Sequence, residues 1–543
     1  MKNTIFLFGA AALFAGCGGA NTVENTADLP DDKNFLRHVS VLADDSLQGR
    51  KPFTDGEAKT IAYLAGEFSA LGLKPGNGDS YFQEVPLVEI DSKPTGHLEI
   101  GGGKSSLSLR YLDDYVINSR RTDALVSLKK SEMVFAGYGI VAPEFGWNDY
   151  EGLDVKGKTV VVLVNDPGYA DSTLFRGKNM TYYGRWTYKF EEASRQGAAG
   201  VLIVHDEGPA SYGWKVVRSS WSGPKLSLED GKGERTLVEG WISMEAAGKI
   251  FGAAGKSTDL LKEAAQKSFK AIPLGLTASL TVRNAVKKSV SHNVAAVWPG
   301  EQHPEECVVY LAHWDHLGIG EKVDGDSIYN GAVDNATGVA AILEIARAFS
   351  RNPVKPARSV LFLAVTAEEQ GLLGSAFYAA HPIFPASKTV AAINIDALAP
   401  FGRTKDIIIV GKGQSELDEY IEAAAKKQGR YLKPEKNPSG GTYFRSDHFN
   451  FAKIGVPALY ANSGTDLRNG GETAGDAKHK EYGKNHYHSP SDQYRPDWDT
   501  SGILEDIRLL YEVGEKLSNE TTFPGWKAGS EFREIREKSL KGL

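Results

Sequence analysis

The sequence predicts an α/β fold: a mostly parallel mixed sheet sandwiched by helices, with a β-rich domain inserted into it. In the second half, the apolar runs CVVYLA, SVLFLAVT, VAAINID and VPALYAN read as strands alternating with amphipathic stretches. In one of these, TGVAAILEIARAF, Val339, Leu343, Ala346 and Phe349 recur at helical spacing. Such alternation belongs to a sheet covered on both faces. Between about residues 123 and 279 the pattern changes to short strands and glycine-rich turns: MVFAGYGIVAP, GKTVVVLVND and GAAGVLIVHD. That change marks the insert.

The chain begins MKNTIFLFGAAALFAGCGGA, with a basic Lys2, an apolar stretch from Ile5 to Ala15 and small residues before Cys17. This reads as a signal peptide over residues 1–17, too short to span a membrane. Phe-Ala-Gly-Cys resembles a bacterial lipobox, so Cys17 is the expected lipidation site and an exported lipoprotein of the cell envelope, in the outer membrane or periplasm, is the expected location. Residues 18–32 read as a polar tether. Two helical patterns follow within 33–122, the second placing Ile61, Leu64, Ala65, Phe68 and Leu71 on one face and ending at Gly72. Residues 123–279 form the insert, 280–520 the catalytic part and 521–543 a charged tail expected to be a solvated helix. With Cys17 lipidated, Cys307 is the single remaining thiol and no intrachain disulfide forms.

Composition narrows the function classes. The 69 acidic and 62 basic residues are interspersed, giving a net charge of -7 without a long basic run, which argues against a nucleic-acid partner. The informative signal is a set of five metal-ligand types: His313 in LAHWDH, Asp334 in NGAVDNATG, Glu369 in VTAEEQG, Asp396 in INIDAL and His488 in HYHSPSD. Each stands beside turn-type residues at the end of an apolar run. Two imidazoles and three carboxylates suit two divalent ions sharing one carboxylate, an arrangement that activates water. Asp315 is placed to reach back to His313 and fix its tautomer. Glu368 is free to take a proton from the activated water. His316 is near enough to stand behind the ligands, and Asp492 is a candidate to orient His488. The residues point to a hydrolase.

Taken together, HWDH, VDNATGVAAILEIARAF, AVTAEEQGLLGSAFY, NIDAL, SDHFNFAKIGVPA and YHSPSD resemble the co-catalytic zinc exopeptidase family, which includes secreted bacterial aminopeptidases, glutamate carboxypeptidases and glutaminyl cyclases. The resemblance covers roughly residues 286–520. It implies the zinc exopeptidase fold and two zinc ions per chain, with His313 and Asp396 at one ion, Glu369 and His488 at the other, Asp334 between them and Glu368 as general base. It also places Asp447 and His448 by the substrate pocket and suggests that KFEEASRQGAAGVLIV belongs to a protease-associated domain. The function implied is a metallo-aminopeptidase acting on peptides; a glutamate-type carboxypeptidase and a glutaminyl cyclase-like acyltransferase are the alternatives. A carboxypeptidase of that type needs a cluster of arginines for the terminal carboxylates, and only Arg403, Arg445 and Arg468 are scattered near the motifs.

Overall fold

A computed structural model describes residues 30–229 and 235–542. The expected signal peptide, Cys17 and most of the tether lie outside the described residues. Among the described residues, no helix is long and apolar enough to cross a membrane.

The expected α/β sheet with helices on both faces is present. Its order runs Lys74–Pro75, the end of Ile272–Trp298, Arg358–Val365, His303–His313, Thr389–Asn394, Ala458–Ser463, Asp406–Ile409 and Tyr431–Pro434. The four central strands, from Arg358–Val365 to Ala458–Ser463, are parallel, and the first and last changes of direction flank them. Every residue of Arg358–Val365 and of Thr389–Asn394 is buried, which is why those runs read as continuously apolar. One face packs under Thr337–Arg351, Ser501–Asn519 and the two N-terminal helices Asp32–Leu42 and Asp55–Ala70, through residues such as Phe35, Phe68, Leu343, Phe362 and Leu510. The other face carries Leu373–Ala380 and His448–Lys453, with Tyr378 stacked on Phe451. Asp31 caps the first N-terminal helix by accepting from the Lys33 N–H, and the second ends at Gly72, whose φ is +80°.

A second sheet forms the β-rich unit. Strands Leu125–Phe135, Thr159–Leu163, Gly200–His205 and Val238–Ser243 run parallel in that order, and Tyr115–Asn118 closes the edge antiparallel. Residues before 123 contribute here as well. Leu98–Gly101 pairs with the long strand Ile272–Trp298, and Tyr115–Asn118 pairs with Val238–Ser243, so the unit draws in chain upstream of 123. The physical cause is that long strand: it pairs with Leu125–Phe135 near its start, Phe82–Pro94 in its middle and Arg358–Val365 at its end, so one continuous ladder joins the two sheets.

The aromatic residues of the insert resolve into packing. Trp186, Trp214 and Trp221 lie against the core around Phe190 and Trp241, while the Tyr182 ring crosses to Phe449, 5.1 Å away between centroids. The charged tail forms the helix Arg533–Leu540, but it is docked rather than solvated: Arg536 is buried and donates to the carbonyls of Ala386 and Thr389.

Candidate metal centre

All five ligand-type residues converge at the carboxyl ends of the parallel strands, where open α/β sheets place their sites. His313 ends its strand, Asp396 lies two residues beyond Thr389–Asn394, and Glu368 and Glu369 follow Arg358–Val365. Asp334 sits in the irregular turn feeding the buried helix Thr337–Arg351. Gly338 permits that entry, because a Cβ there would fall 2.5 Å from the Ile395 carbonyl oxygen. His488 follows the helix Gly471–Asn485 with φ at +56°.

The geometry has a centre at Asp334. Its Oδ1 lies 3.3 Å from His313 Nε2 and its Oδ2 lies 3.2 Å from His488 Nε2. His313 Nε2 is also 3.3 Å from Asp396 Oδ1, and His488 Nε2 is 3.2 Å from Glu369 Oε2. His486, two residues before, bonds to Glu481 and Ser491 outside this centre. Burial acts to lower the His488 pKa, but the contacts with Asp334 and Glu369 outweigh it and lift the imidazole to about 10. Burial raises the Glu368 carboxyl well above its usual range, and the Glu369, Asp447 and Asp396 carboxylates add to that rise. So much negative charge in a desolvated space calls for cations. The nitrogen and oxygen donors suit divalent ions such as zinc.

The surrounding layer differs from expectation at two residues. Asp315 does not turn its carboxylate to His313. Its main-chain oxygen lies 3.1 Å from His313 Nδ1, the nearer carboxylate oxygen is 3.9 Å away, and that carboxylate accepts the Glu368 N–H at 3.0 Å. A side chain two residues beyond a strand end is carried past the ring by the turn, so the backbone does the orienting. Asp492 accepts the N–H groups of Val333 and Asp334 at 3.0 and 3.1 Å rather than orienting His488. Ser446 donates to Asp396 Oδ2 at 2.6 Å. Asp447 and His448, expected by the substrate pocket, are both fully buried. His448 is enclosed by the rings of Tyr443 and Tyr460, and burial lowers its pKa to about 3; Asp447 bonds to Ser375. Neither presents a surface to a substrate.

Sequence reasoning missed Arg50. Its guanidinium is buried and donates only to carbonyl oxygens: Trp314 at 2.8 Å, Gly331 at 2.8 Å, Asn330 and Leu42. It therefore ties the turn after His313 to the turn before Asp334. Burial pulls its pKa down to about 10, while Asp492, Asp334, Asp315 and Glu369 hold the proton on. The signal available was only a Gly-Arg after a helix, with no indication of long-range partners. Arg50→Met is expected to leave these carbonyls without donors, at about 1–3 kcal/mol each. A fall in the urea midpoint worth about 3 kcal/mol or more checks this, and an unchanged midpoint contradicts it.

A cavity of about 250 Å³ opens beside the centre. Val333 and Ala397, the chain neighbours of Asp334 and Asp396, form its floor with Phe401, Asn462, Tyr482 and Tyr487, and its described walls contain no lysine or arginine. Arg403 and Arg468 pair with Glu505, and Arg445 donates to the Gly440 carbonyl.

Comparison with known proteins locates this centre within a family. Residues 293–511 match the model of peptidase family M28. This segment is an M28 peptidase domain. It contains all five ligand-type residues and Glu368. A probable zinc metalloprotease of Pyricularia oryzae is 39% identical over 87 residues, covering 16% of this chain and 17% of that protein. Aminopeptidase NAALADL1 of Mus musculus is 32% identical over 129 residues, 23% of this chain and 16% of that one. Leupeptin-inactivating enzyme 1 of Streptomyces exfoliatus is 27% identical over 179 residues, 33% and 37% of the two chains. The chain thus spans well under half the length of these relatives. Among solved structures, an aminopeptidase from Aneurinibacillus sp. strain AM-1 aligns over 92% of this chain and 96% of its own, at 19% identity and a TM-score of 0.46. The matched segment contains the centre, and most of the β-rich unit precedes it in sequence.

Proposed function

We propose that the protein is a zinc-dependent aminopeptidase that removes N-terminal residues from peptides. The observation that carries this reading is the pairing of His313 and Asp396 on one side of Asp334 with Glu369 and His488 on the other, next to Glu368. Two zinc ions held there would supply an activated water and polarise the scissile carbonyl. Glu368 takes the proton from that water at its carboxylate and returns it to the departing amine. The Asp315 carboxylate, accepting the Glu368 N–H, fixes where the base sits. The Tyr487 ring stacks on that of His488, with centroids 3.9 Å apart, and lines the cavity beside the centre.

The arginine-poor cavity favours cleavage at the amino end. A free substrate ammonium meets carboxylates at the centre, whereas terminal carboxylates would find no arginine grip in the described walls. Hydrolysis of amino-acid anilides, lost with chelator and restored by zinc, is the expected result. N-acetylation of the substrate should lower kcat/KM by roughly 10²-fold or more, since the site's carboxylates then lose their partner. Rapid cleavage of an N-acetylated dipeptide ending in glutamate, with free-amine substrates untouched, would reverse the assignment in favour of the carboxypeptidase. Cyclisation of N-terminal glutamine without peptide hydrolysis would favour the acyltransferase.

The β-rich unit is in this reading a protease-associated domain; support comes from Met180 and Tyr182, which reach the segments around Gly441 and Phe449 of the M28 domain. The chain is also proposed to be anchored to the envelope through lipid on Cys17. Cys17→Ala should then move it from the membrane fraction to the soluble fraction. Equal membrane association of both forms would remove the anchor.

A further inference from the structure

We infer that the cavity beside the centre receives the side chain of the substrate's first residue and selects an aromatic one, with Gly483 keeping its mouth open. The inference rests on the aminopeptidase reading and names the substrate class of that same site.

Three walls of the cavity are chain neighbours of three ligand-type residues: Val333 of Asp334, Ala397 of Asp396 and Tyr487 of His488. A substrate whose ammonium meets those carboxylates carries its first side chain on the same carbon as that ammonium. The side chain therefore stands at this opening. At about 250 Å³ the space exceeds the ~150 Å³ that suffices for a benzene ring. Four rings follow one another along its walls: His479 lies 5.0 Å from Phe401 at 86°, Phe401 lies 6.5 Å from Tyr482 at 67°, and Tyr482 lies 6.4 Å from Tyr487 at 61°. Rings inclined in this way present both edges and faces to a guest ring. That adds an aromatic preference to the burial any apolar side chain would gain.

The described walls contain no aspartate or glutamate, as they contain no lysine or arginine. Burial lowers the His479 pKa below its ordinary value, so this ring is uncharged at neutral pH. Lys478 donates to the Phe401 carbonyl at 3.0 Å and is not one of the walls. A charged side chain entering the cavity would lose water without meeting a counter-charge.

Two glycines of the helix Gly471–Asn485 stand in different surroundings. A Cβ at Gly475 would fall 2.0 Å from the Thr465 carbonyl oxygen, so close packing of the helix requires that glycine. It holds the turn bearing His479 and Tyr482 against the sheet end. A Cβ at Gly483 would meet no atom within 4 Å, and Gly483 is an exposed residue of the cavity wall. Its missing side chain leaves the entrance clear. Gly483→Leu should fold at least as well as the unsubstituted protein, because leucine is the better helix former, while obstructing the entrance to a large side chain.

The test compares kcat/KM for the anilides of phenylalanine, leucine, alanine, lysine and glutamate. Phenylalanine should exceed leucine by about 3-fold or more and alanine by about 10-fold or more, with lysine and glutamate lower by roughly 10²-fold. In Gly483→Leu the ratio of phenylalanine to alanine should fall by about 10-fold or more, and a ratio is insensitive to a general loss of active protein. Any of the other four anilides at or above phenylalanine, or an unchanged ratio in Gly483→Leu, overturns the inference. The panel on the unsubstituted protein decides even if the variant folds poorly. Hydrolysis of none of the anilides removes the aminopeptidase reading itself. Hydrolysis of all five without preference removes only the aromatic pocket.

Discussion

Glu368→Gln is expected to lower kcat by about 10²–10⁴ while zinc content stays at the level of the unsubstituted protein. The amide keeps the shape of the side chain but cannot accept the proton. The backbone of residue 368 stays where it is, because it is held by its own N–H to Asp315 rather than by its side chain. The neighbouring Glu369 faces His316 and His488, so it is not placed to take over as base. KM should move little, since a proton carrier acts on the transition state more than on the bound substrate. Metal analysis alongside steady-state kinetics checks both halves of the expectation. Near-native turnover, or a matching loss of zinc, would show that Glu368 is a ligand or a bystander.

Asp334→Ala should have the larger effect and of a different kind: both ions lost, with activity below detection. Each oxygen of this carboxylate faces a different imidazole, at 3.3 and 3.2 Å, so it belongs to both positions at once. Removing it takes one ligand from each and the only charge they share. The fold should survive, because the turn around it is held through backbone bonds to Asp492 and through the Asn335 amide bonded to the Ile395 carbonyl. Asp334→Asn separates charge from shape, since it preserves volume but gives one ion a neutral oxygen and the other an N–H₂ group. Zinc content below one equivalent with an unchanged circular dichroism spectrum is the expected result for the alanine variant. Retention of two equivalents would show that the carboxylate does not bridge.

What could be read from the sequence, and what could not, divides by range. Local pattern carries the strands that run through the core, because a segment buried on both faces must be apolar throughout, as Arg358–Val365 is. It carries Gly72 as a helix stop for the same local reason. It also carries the five ligand-type residues, since polar groups at the ends of apolar runs stand out. Range defeats the same reasoning at Arg50, whose partners lie at positions 314, 330 and 331, and at Asp492, which serves the backbone of Val333 and Asp334.

Asp315 and His316 mark the boundary most clearly. By itself the sequence determined the α/β class, the sheet strands and the order of the five ligand-type residues. Only the tertiary structure decided which atom meets which: the Asp315 backbone oxygen rather than its carboxylate at His313, and the His316 ring against Glu369 Oε1. It also decided that Asp447 and His448 are walled in and that the β-rich sheet recruits strands from before residue 123. The physical reason is that apolar burial acts on each segment through its own composition. Hydrogen bonds and metal ligands depend instead on directions, to within an ångström, that are set only when distant segments pack against one another.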